Sequence, residues 1–271
     1  MSVIVTVAPT GPIATKSDNP SLPTSPEEIA TQVAEAHEAG AAVAHLHFRD
    51  AAGNPTGDLE IAERTIARVR DMCPILIQVS TGVGLSVPFE ERERLVELQP
   101  SMATLNPSTM TFGNGEFRNP PDGVWRLAAR MQELGVKPEL EIYDSGHVEM
   151  CLQLIKDGLI DGTPQFSIVL GVRGGATATA ANLLSLVNRL PENSIWQTVA
   201  IGRRNLELTA IGLALGGNAR AGLEDTLYLR KGQLSTGNAP LVRRAVALAT
   251  ALDLPIAGVE EAAETLGLKR Q

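Results

Sequence analysis

Cysteine is scarce in this chain of 271 residues, which has only Cys73 and Cys151. The two lie far apart and form no CxxC pair. A disulfide framework is therefore not expected, and a reducing cytoplasm is the predicted location.

Long apolar runs and an excess of basic charge are also missing. No stretch approaches the ~18–20 apolar residues of a membrane helix. The N-terminal stretch MSVIVTVAPTGPIA lacks a basic start and predicts a first strand, not a signal peptide. With 23 Lys and Arg against 31 Asp and Glu, the net charge is −8, which argues against a general nucleic-acid binder. Apolar residues make up 44% of the chain, as is typical of a globular protein with one large α/β domain or two small ones.

Short β-branched runs alternate with helical patterns along the whole chain. The predicted strands are 3–8, 42–48, 75–80, 102–106, 139–144, 165–170, 195–201 and 218–223. The predicted helices start at the capping box Ser25–Glu28 and continue at about 59–71, 88–98, 122–134, 147–158, 178–189, 203–215, 237–252 and 258–267. Eight strand–helix units in about 250 residues predict a (β/α)8 TIM barrel. A doubly wound open sheet is the alternative, because alternation alone does not prove that the sheet closes.

Histidine is scarce too, yet two of the four histidines lie in the stretch HLHFRD, at His45 and His47. Residues i and i+2 of a strand point to the same side, so both imidazoles project together from the end of the second strand. Two imidazoles on one face can chelate a metal ion. The alternative is a pair of hydrogen-bonded core histidines.

Besides the second strand with its two histidines, four more of the eight predicted strands have polar residues at their ends, which makes five in all. The residues concerned are Gln78 and Ser80 with the following Gly82, Thr104 and Asn106, Glu139 and Glu141, Asp144, and Arg220 with Glu224 and Asp225. In a barrel the carboxyl ends of the strands meet at one mouth, so these side chains predict a functional site there.

The charges of these polar side chains suggest which of them bind a metal, bind substrate or act as a base. A divalent cation held by two neutral imidazoles favours a carboxylate as third ligand, and Glu224 and Glu141 are the candidates. Arg220 could hold a substrate carboxylate or orient Asp225 as a base. Alternatively, Glu224 and Asp225 form only a helix-entry pair that interacts with the helix dipole. The Gly-rich stretch GVRGG, 171–175, could offer backbone amides to a phosphate or a thioester tail.

Taken together, these stretches resemble the β-keto acid cleavage enzyme family, typified by 3-keto-5-aminohexanoate cleavage enzymes. The matching stretches, in family order, are APTG (8–11), NPSLPTSPEEIA (19–30), EAGAAVAHLHFRD (38–50), STG (80–82), ELEIYDSGH (139–147), VLGVRGG (169–175), AIGR (200–203) and RAGLEDTLYL (220–229). HLHFRD combined with a distant RAGLED is the most specific part of the pattern.

The resemblance implies a zinc-dependent barrel that condenses a β-keto acid with acetyl-CoA and releases acetoacetate and a new acyl-CoA. It implies His45, His47 and Glu224 as zinc ligands, and Asp225 as the base, oriented by Arg220. Ser80 and Thr104 would hold the carboxylate and keto ends of the substrate, with Gly82 and Asn106 beside them. Glu141 would lie at the substrate or behind the metal ligands. The family also suggests a homotetramer and small-molecule partners, with neither nucleic acid nor membrane involved.

One departure from the family pattern concerns the long loop after the first strand, residues 9–25. Members that use amino-substituted keto acids carry an acid there, where this chain has Ile13. We therefore expect a substrate with an uncharged side chain. We expect a single domain, residues 1–271, with this loop and a C-terminal helical extension.

Two rival functions share some of these features. A metal hydrolase of the amidohydrolase type also carries an HxH pair on a barrel, but on its first strand and with further strand histidines. A non-catalytic binding protein on a barrel scaffold would be expected to have lost part of the ligand set.

Overall fold

The computed structural model describes residues 2–268, so the ends of the predicted domain, residue 1 and residues 269–271, lie outside it. Within that range the strands are β1 (Val5–Val7), β2 (Val43–Leu46), β3 (Leu76–Val79), β4 (Met102–Leu105), β5 (Met110–Phe112), β6 (Gly115–Phe117), β7 (Lys137–Ile142), β8 (Gln165–Leu170), β9 (Ile195–Ala200), β10 (Asn218–Ala221), β11 (Tyr228–Arg230) and β12 (Gln233–Leu234).

The helices alternate with the barrel strands. They are α1 (Pro26–Glu38), α2 (Leu59–Met72), α3 (Phe89–Arg92), α4 (Pro121–Leu134), α5 (Ser145–Lys156), α6 (Ala180–Val187), α7 (Asn205–Ala214), α8 (Ala239–Ala251) and α9 (Val259–Thr265). Short 3₁₀ helices, Glu93–Leu98 and Gly202–Arg204, follow α3 and precede α7. No helix of the described residues is long and apolar enough to cross a membrane.

Eight parallel strands close into a barrel in the order β1-β2-β3-β4-β7-β8-β9-β10. Closure is seen at β1, which pairs with β2 on one side and with β10 on the other. The predicted (β/α)8 barrel is confirmed, and the open-sheet alternative is wrong because an open sheet would leave β1 or β10 with an unpaired edge.

The apolar core lies mainly between the strands and the helices. The outward residues Ala44, Leu46 and Phe48 of the second strand region are buried against α1 and α2, as the strand period requires. The other side of each strand faces the barrel interior, and there polar residues are buried.

Several local predictions differ from the structure. The predicted helix 88–98 is a short α-helix continued by a 3₁₀ segment that ends at Gln99, in the left-handed conformation with φ 48°. The hairpins β5–β6 and β11–β12 were not predicted, because their arms of two or three residues show little alternation. The dipeptide Gly113-Asn114, which forms the turn between Phe112 and Gly115, was the available hairpin signal.

Candidate metal centre and active site

The two histidines of HLHFRD lie at the carboxyl end of β2, and both are buried. His45 is the register partner of Gln78 on β3. The Nδ1–H of His45 donates to Gln78 Oε1 at 2.7 Å. This bond leaves His45 Nε2 as the lone-pair nitrogen, and that atom points at Glu224.

Glu224 lies in the loop that follows β10, directly beside both imidazoles. Its Oε2 is 3.5 Å from His45 Nε2, and its Oε1 is 3.6 Å from His47 Nε2. Two ligands on a tetrahedral zinc ion, each about 2.1 Å from it, would be about 3.4 Å apart. Among residues 2–268, His45 Nε2 and Glu224 Oε2 are buried with no hydrogen-bond partner. Three converging donor atoms, two of them without a partner, fit a divalent cation.

Two glycines allow the chain to approach this closely. A Cβ at Gly222 would lie 1.9 Å from the Ala8 carbonyl oxygen, so the end of β10 can pass β1 only with glycine at that position. A Cβ at Gly11 would lie 2.5 Å from Glu224 Cγ. These are the glycines of the APTG and RAGLED stretches, and they bring the loop after β1 over the carboxylate.

Arg220, on β10, organises the acidic side of the site. Its Nε and Nη2 donate to Asp225 Oδ2 and Oδ1 at 3.0 and 2.5 Å, and Nη2 also donates to Glu224 Oε1 at 3.0 Å. Burial lowers the pKa of Arg220, but the Asp225 and Glu224 charges outweigh burial and raise it well above its usual value. Burial raises the pKa of Glu224, and the charge of Arg220 reverses this effect and holds it well below the usual value.

Asp225 lies behind Arg220. Its side chain is 1% exposed, and both of its oxygens accept from the guanidinium. Burial raises the pKa of Asp225, while Arg220 opposes that rise. Glu141, 7% exposed, faces the open space of the mouth and accepts a hydrogen bond from Tyr143 Oη at 3.0 Å. Burial raises the pKa of Glu141.

We define the catalytic pocket as the space above these groups, a cavity of about 60 Å³. His47, Glu141, Arg220 and Glu224 line its base, together with Ser80 and Gly82. Its outer wall is apolar and consists of Pro12, Ile13, Leu85, Phe112, Phe117, Tyr143, Val169, Val172 and Ile201. Sequence reasoning missed most of this wall because it comes from the β5–β6 hairpin and from loops of several strands.

The predicted substrate residues fall into two groups. Ser80 and Gly82 line the catalytic pocket, and Ser80 Oγ accepts from the Gly82 N–H. Thr104 and Asn106 are buried just behind it. Thr104 Oγ1 accepts from the Thr81 N–H at 3.0 Å, so its hydroxyl orders the loop after β3. Within residues 2–268 the Asn106 amide has no hydrogen-bond partner, and it lies 3.7 Å from the Cβ position of Gly82.

Two neighbouring features have structural roles. Arg49 of HLHFRD is buried and donates to the carbonyls of Gly11 and Ala14, so it holds the loop that carries Ile13. In the GVRGG stretch, predicted to offer backbone amides to a ligand, two of the amides are engaged in hydrogen bonds of the loop itself. The Gly171 N–H donates to Ala176 O and the Gly175 N–H to Val172 O.

Comparisons with known proteins identify the family of the chain. Residues 2–268 match the beta-keto acid cleavage enzyme family. The chain is 38% identical over 270 residues to a 3-keto-5-aminohexanoate cleavage enzyme of Fusobacterium nucleatum, covering 99% of this chain and 98% of that one. It is 35% identical to a 3-oxoadipate:acetyl-CoA acetyltransferase of Cupriavidus necator, covering 98% and 94%.

Among solved structures, the complex of ObcA with oxaloacetate superposes with a TM-score of 0.83 at 21% identity, covering 93% of this chain and 68% of that one. This likeness supports the barrel fold alone. The family match, in contrast, covers nearly the whole chain. In the structure HLHFRD and RAGLED, 177 residues apart from His47 to Glu224, meet at one site in the barrel mouth. The chain therefore belongs to the beta-keto acid cleavage enzyme family.

Proposed function

We propose that this protein is a zinc-dependent acyltransferase that takes a β-keto acid and acetyl-CoA and gives acetoacetate and a new acyl-CoA. The observation that carries the proposal is the cluster of His45, His47 and Glu224, with unpartnered donor atoms, beside the buried Arg220–Asp225 pair. The Cupriavidus necator relative is named as an acetyl-CoA acetyltransferase, which supports acetyl-CoA as the second substrate.

His45, His47 and Glu224 would hold the zinc ion through the two Nε2 atoms and the carboxylate. When bound, the ion supplies positive charge that stabilises negative charge developing on a carbonyl oxygen. Two imidazoles and one carboxylate leave a position open for substrate, as in catalytic zinc sites.

The protein's own groups then bind the substrate and move its protons. Asp225 is proposed to take a proton from the carbon between the two carbonyl groups, with Arg220 orienting its carboxylate. Arg220 lines the base of the pocket, and its Nη1 is buried without a partner among the described residues, so we propose that it donates to a substrate oxygen. Ser80 is proposed to bind the carboxylate of the substrate, with Gly82 beside it. Thr104 and Asn106 lie behind these two residues and are proposed to support them.

The reaction balances without an oxidant or reductant. The deprotonated carbon attacks the acetyl carbonyl, and the CoA thiolate leaves. The thiolate then attacks the original keto carbon, the bond to the central carbon breaks, and the released carbanion takes back the proton held by Asp225 to give acetoacetate. The apolar wall excludes water, which would otherwise hydrolyse the thioester or protonate the carbanion.

The substrate side chain is proposed to be uncharged. Ile13 is 66% exposed at the rim of the catalytic pocket, and the neighbouring wall, with Phe112, Val172 and Ile201, is apolar. An ammonium group there would lose water without gaining a counter-charge.

The test is a panel of β-keto acids with acetyl-CoA, in which new CoA esters are followed on protein of measured metal content. We expect CoA-ester formation, zinc in the protein and a preference for neutral side chains. Hydrolysis without CoA would support the amidohydrolase alternative, and the absence of any turnover would support a binding protein. A clear preference for an amino-substituted keto acid would contradict the assignment of Ile13.

We further propose that the protein works in a reducing cytoplasm. Cys73 and Cys151 are buried and unpaired, as expected of a chain that works in a reducing cytoplasm. We also propose that the barrel works as one domain and assembles as a homotetramer, which size-exclusion chromatography with light scattering would test.

A further inference from the structure

A second cavity, of about 590 Å³, opens directly beside the catalytic pocket. We call it the side cavity. It is lined by Gly84, Leu85, Ser86, Val87, Pro88, Phe89, Glu90, Arg92, Thr109, Glu116, Phe117, Arg118 and Pro120. Gly84, Leu85 and Phe117 line both spaces, so the two are neighbours that share this wall. The volume lies within the range of about 300–1,000 Å³ that small-molecule sites occupy.

The catalytic pocket alone is too small for the proposed second substrate. At about 60 Å³ it has no room for a coenzyme A chain. The thioester carbonyl must nevertheless reach the base of this pocket. The long arm attached to its sulfur must therefore extend out of this pocket, and the side cavity, of about 590 Å³, lies directly beside it.

The chemistry of the side cavity suits a neutral, amphipathic chain. Leu85, Val87 and Phe89 offer apolar surface, while Ser86 and Thr109 offer hydroxyl groups. The charged lining residues balance, with Glu90 and Glu116 against Arg92 and Arg118. A pantetheine arm, which combines methyl groups, methylenes and two amides without charge, matches such a lining. The phosphates of the coenzyme match it poorly and would lie outside.

Contacts of Arg92 hold the wall between the two spaces in place. Arg92 is buried, and its guanidinium lies 4.7 Å from the Phe117 ring centroid and 5.2 Å from that of Phe89. It donates to the carbonyls of Thr81 and Arg118, which ties the loop after β3 to the β5–β6 hairpin. Burial lowers the pKa of Arg92 to about 10, so the side chain stays charged at neutral pH. Its Nε is buried with no hydrogen-bond partner among the described residues.

We propose that the side cavity binds the pantetheine arm of the acyl-CoA and passes its thioester past Leu85 and Gly84 into the catalytic pocket. This inference rests on the proposed function. It names residues of helix α3, its preceding loop and the β5–β6 hairpin as the binding surface for the second substrate.

The test is a substitution at an exposed position, with a larger side chain that fills part of the side cavity. Ser86 is exposed on its lining, so Ser86→Trp adds volume without disturbing the core. The matched control is Thr163→Trp, at an exposed position before β8, on the opposite end of the barrel. KM is measured for acetyl-CoA and for the truncated thioester S-acetyl-N-acetylcysteamine, with the best keto acid of the panel. Binding of pantetheine itself is measured by calorimetry.

We expect Ser86→Trp to raise KM for acetyl-CoA at least tenfold relative to KM for the truncated thioester, and to weaken pantetheine binding by a similar factor. Thr163→Trp should change neither ratio. An unchanged ratio in Ser86→Trp, or an equal rise for both thioesters, would overturn the proposal. So would the failure of pantetheine to bind the unmodified protein.

The two proposals fail in different ways. If new CoA esters form but the KM ratio is unaffected, the proposed function stands and the side cavity is not the arm site. If no keto acid gives a CoA ester while Ser86→Trp abolishes pantetheine binding, the arm site stands and the proposed reaction fails.

Discussion

Two groups of buried charged side chains lie inside the same barrel, and only one of them resembles a reaction site. Glu139, in the interior on β7, is fully buried, yet each of its oxygens accepts hydrogen bonds: Oε1 from Ser167 Oγ at 2.7 Å, and Oε2 from Gln165 and Gln197 at 2.8 and 3.0 Å. Two residues further on, Glu141 belongs to the mouth, where His45 Nε2 and Glu224 Oε2 have no partner among the described residues.

Burial of charge is therefore a poor guide to function in this molecule. The group around Glu139 is satisfied by neutral donors and contributes to the stability of the barrel. The group around Glu224 keeps charged atoms that lack hydrogen-bond partners, an arrangement that is costly unless a ligand completes it. The contrast predicts that substitutions at the mouth change metal binding and turnover, whereas substitutions at Glu139 change stability.

The largest effect is expected for His47→Ala. Loss of one of three ligands should remove the metal, and turnover should fall at least ~10³-fold, since a metal contributes several kcal/mol to stabilising the transition state. Metal content by mass spectrometry and CoA-ester formation are measured together. His37→Ala, on helix α1 away from the mouth, is the control. Full zinc occupancy in His47→Ala would contradict the ligand assignment.

The next effect separates the base from the metal ligands. Asp225→Asn should lower kcat about 10²–10⁴-fold, the range for loss of a general base, while zinc stays bound. Glu141→Gln, measured in parallel, should have the smaller effect on kcat. The reverse order would transfer the role of base to Glu141, which faces the catalytic pocket.

The third prediction concerns Glu139, whose group has satisfied hydrogen bonds. Glu139→Leu leaves the donors of Gln165, Ser167 and Gln197 without their acceptor. At ~1–3 kcal/mol for each buried unsatisfied donor, unfolding free energy should fall by at least ~3 kcal/mol. Urea denaturation measures this change, and zinc content should remain that of the unmodified protein. Glu149→Leu, at an exposed position on α5, is the control. Loss of zinc with unchanged stability would assign Glu139 to the mouth.

The smallest effect is expected at Gln78, the buried neighbour of His45 on β3. Gln78→Leu removes the acceptor for His45 Nδ1–H, so the imidazole loses the bond that fixes its orientation. Zinc affinity should fall about 10–100-fold in a chelator competition assay. Gln78→Glu, which keeps an acceptor, should recover most of the loss, and the exposed Gln153→Leu should leave affinity unaltered. Equal affinities for Gln78→Leu and the unmodified protein would remove Gln78 from the metal centre.

Local geometry explains what could be predicted. The strand period placed His45 and His47 on one side of β2, and the alternation of elements predicted the barrel. The β5–β6 hairpin, the contact from Gln78 to His45, and the use of Thr104 to order Thr81 were not predicted, since each depends on which strands are neighbours. The two adjacent cavities depend on loops from several strand ends.

The sequence by itself therefore determined which residues could form a site: an HxH pair on a strand, an Arg-Ala-Gly-Leu-Glu-Asp stretch, and eight units able to form a barrel. Only the tertiary structure decided how they meet. Barrel closure pairs β1 with β10, and glycine at positions 11 and 222 permits the close contact, so that Glu224 comes within 3.5–3.6 Å of both imidazoles. The i, i+2 relation is a property of a single strand, whereas a distance between residues far apart in the chain is set only when the sheet closes.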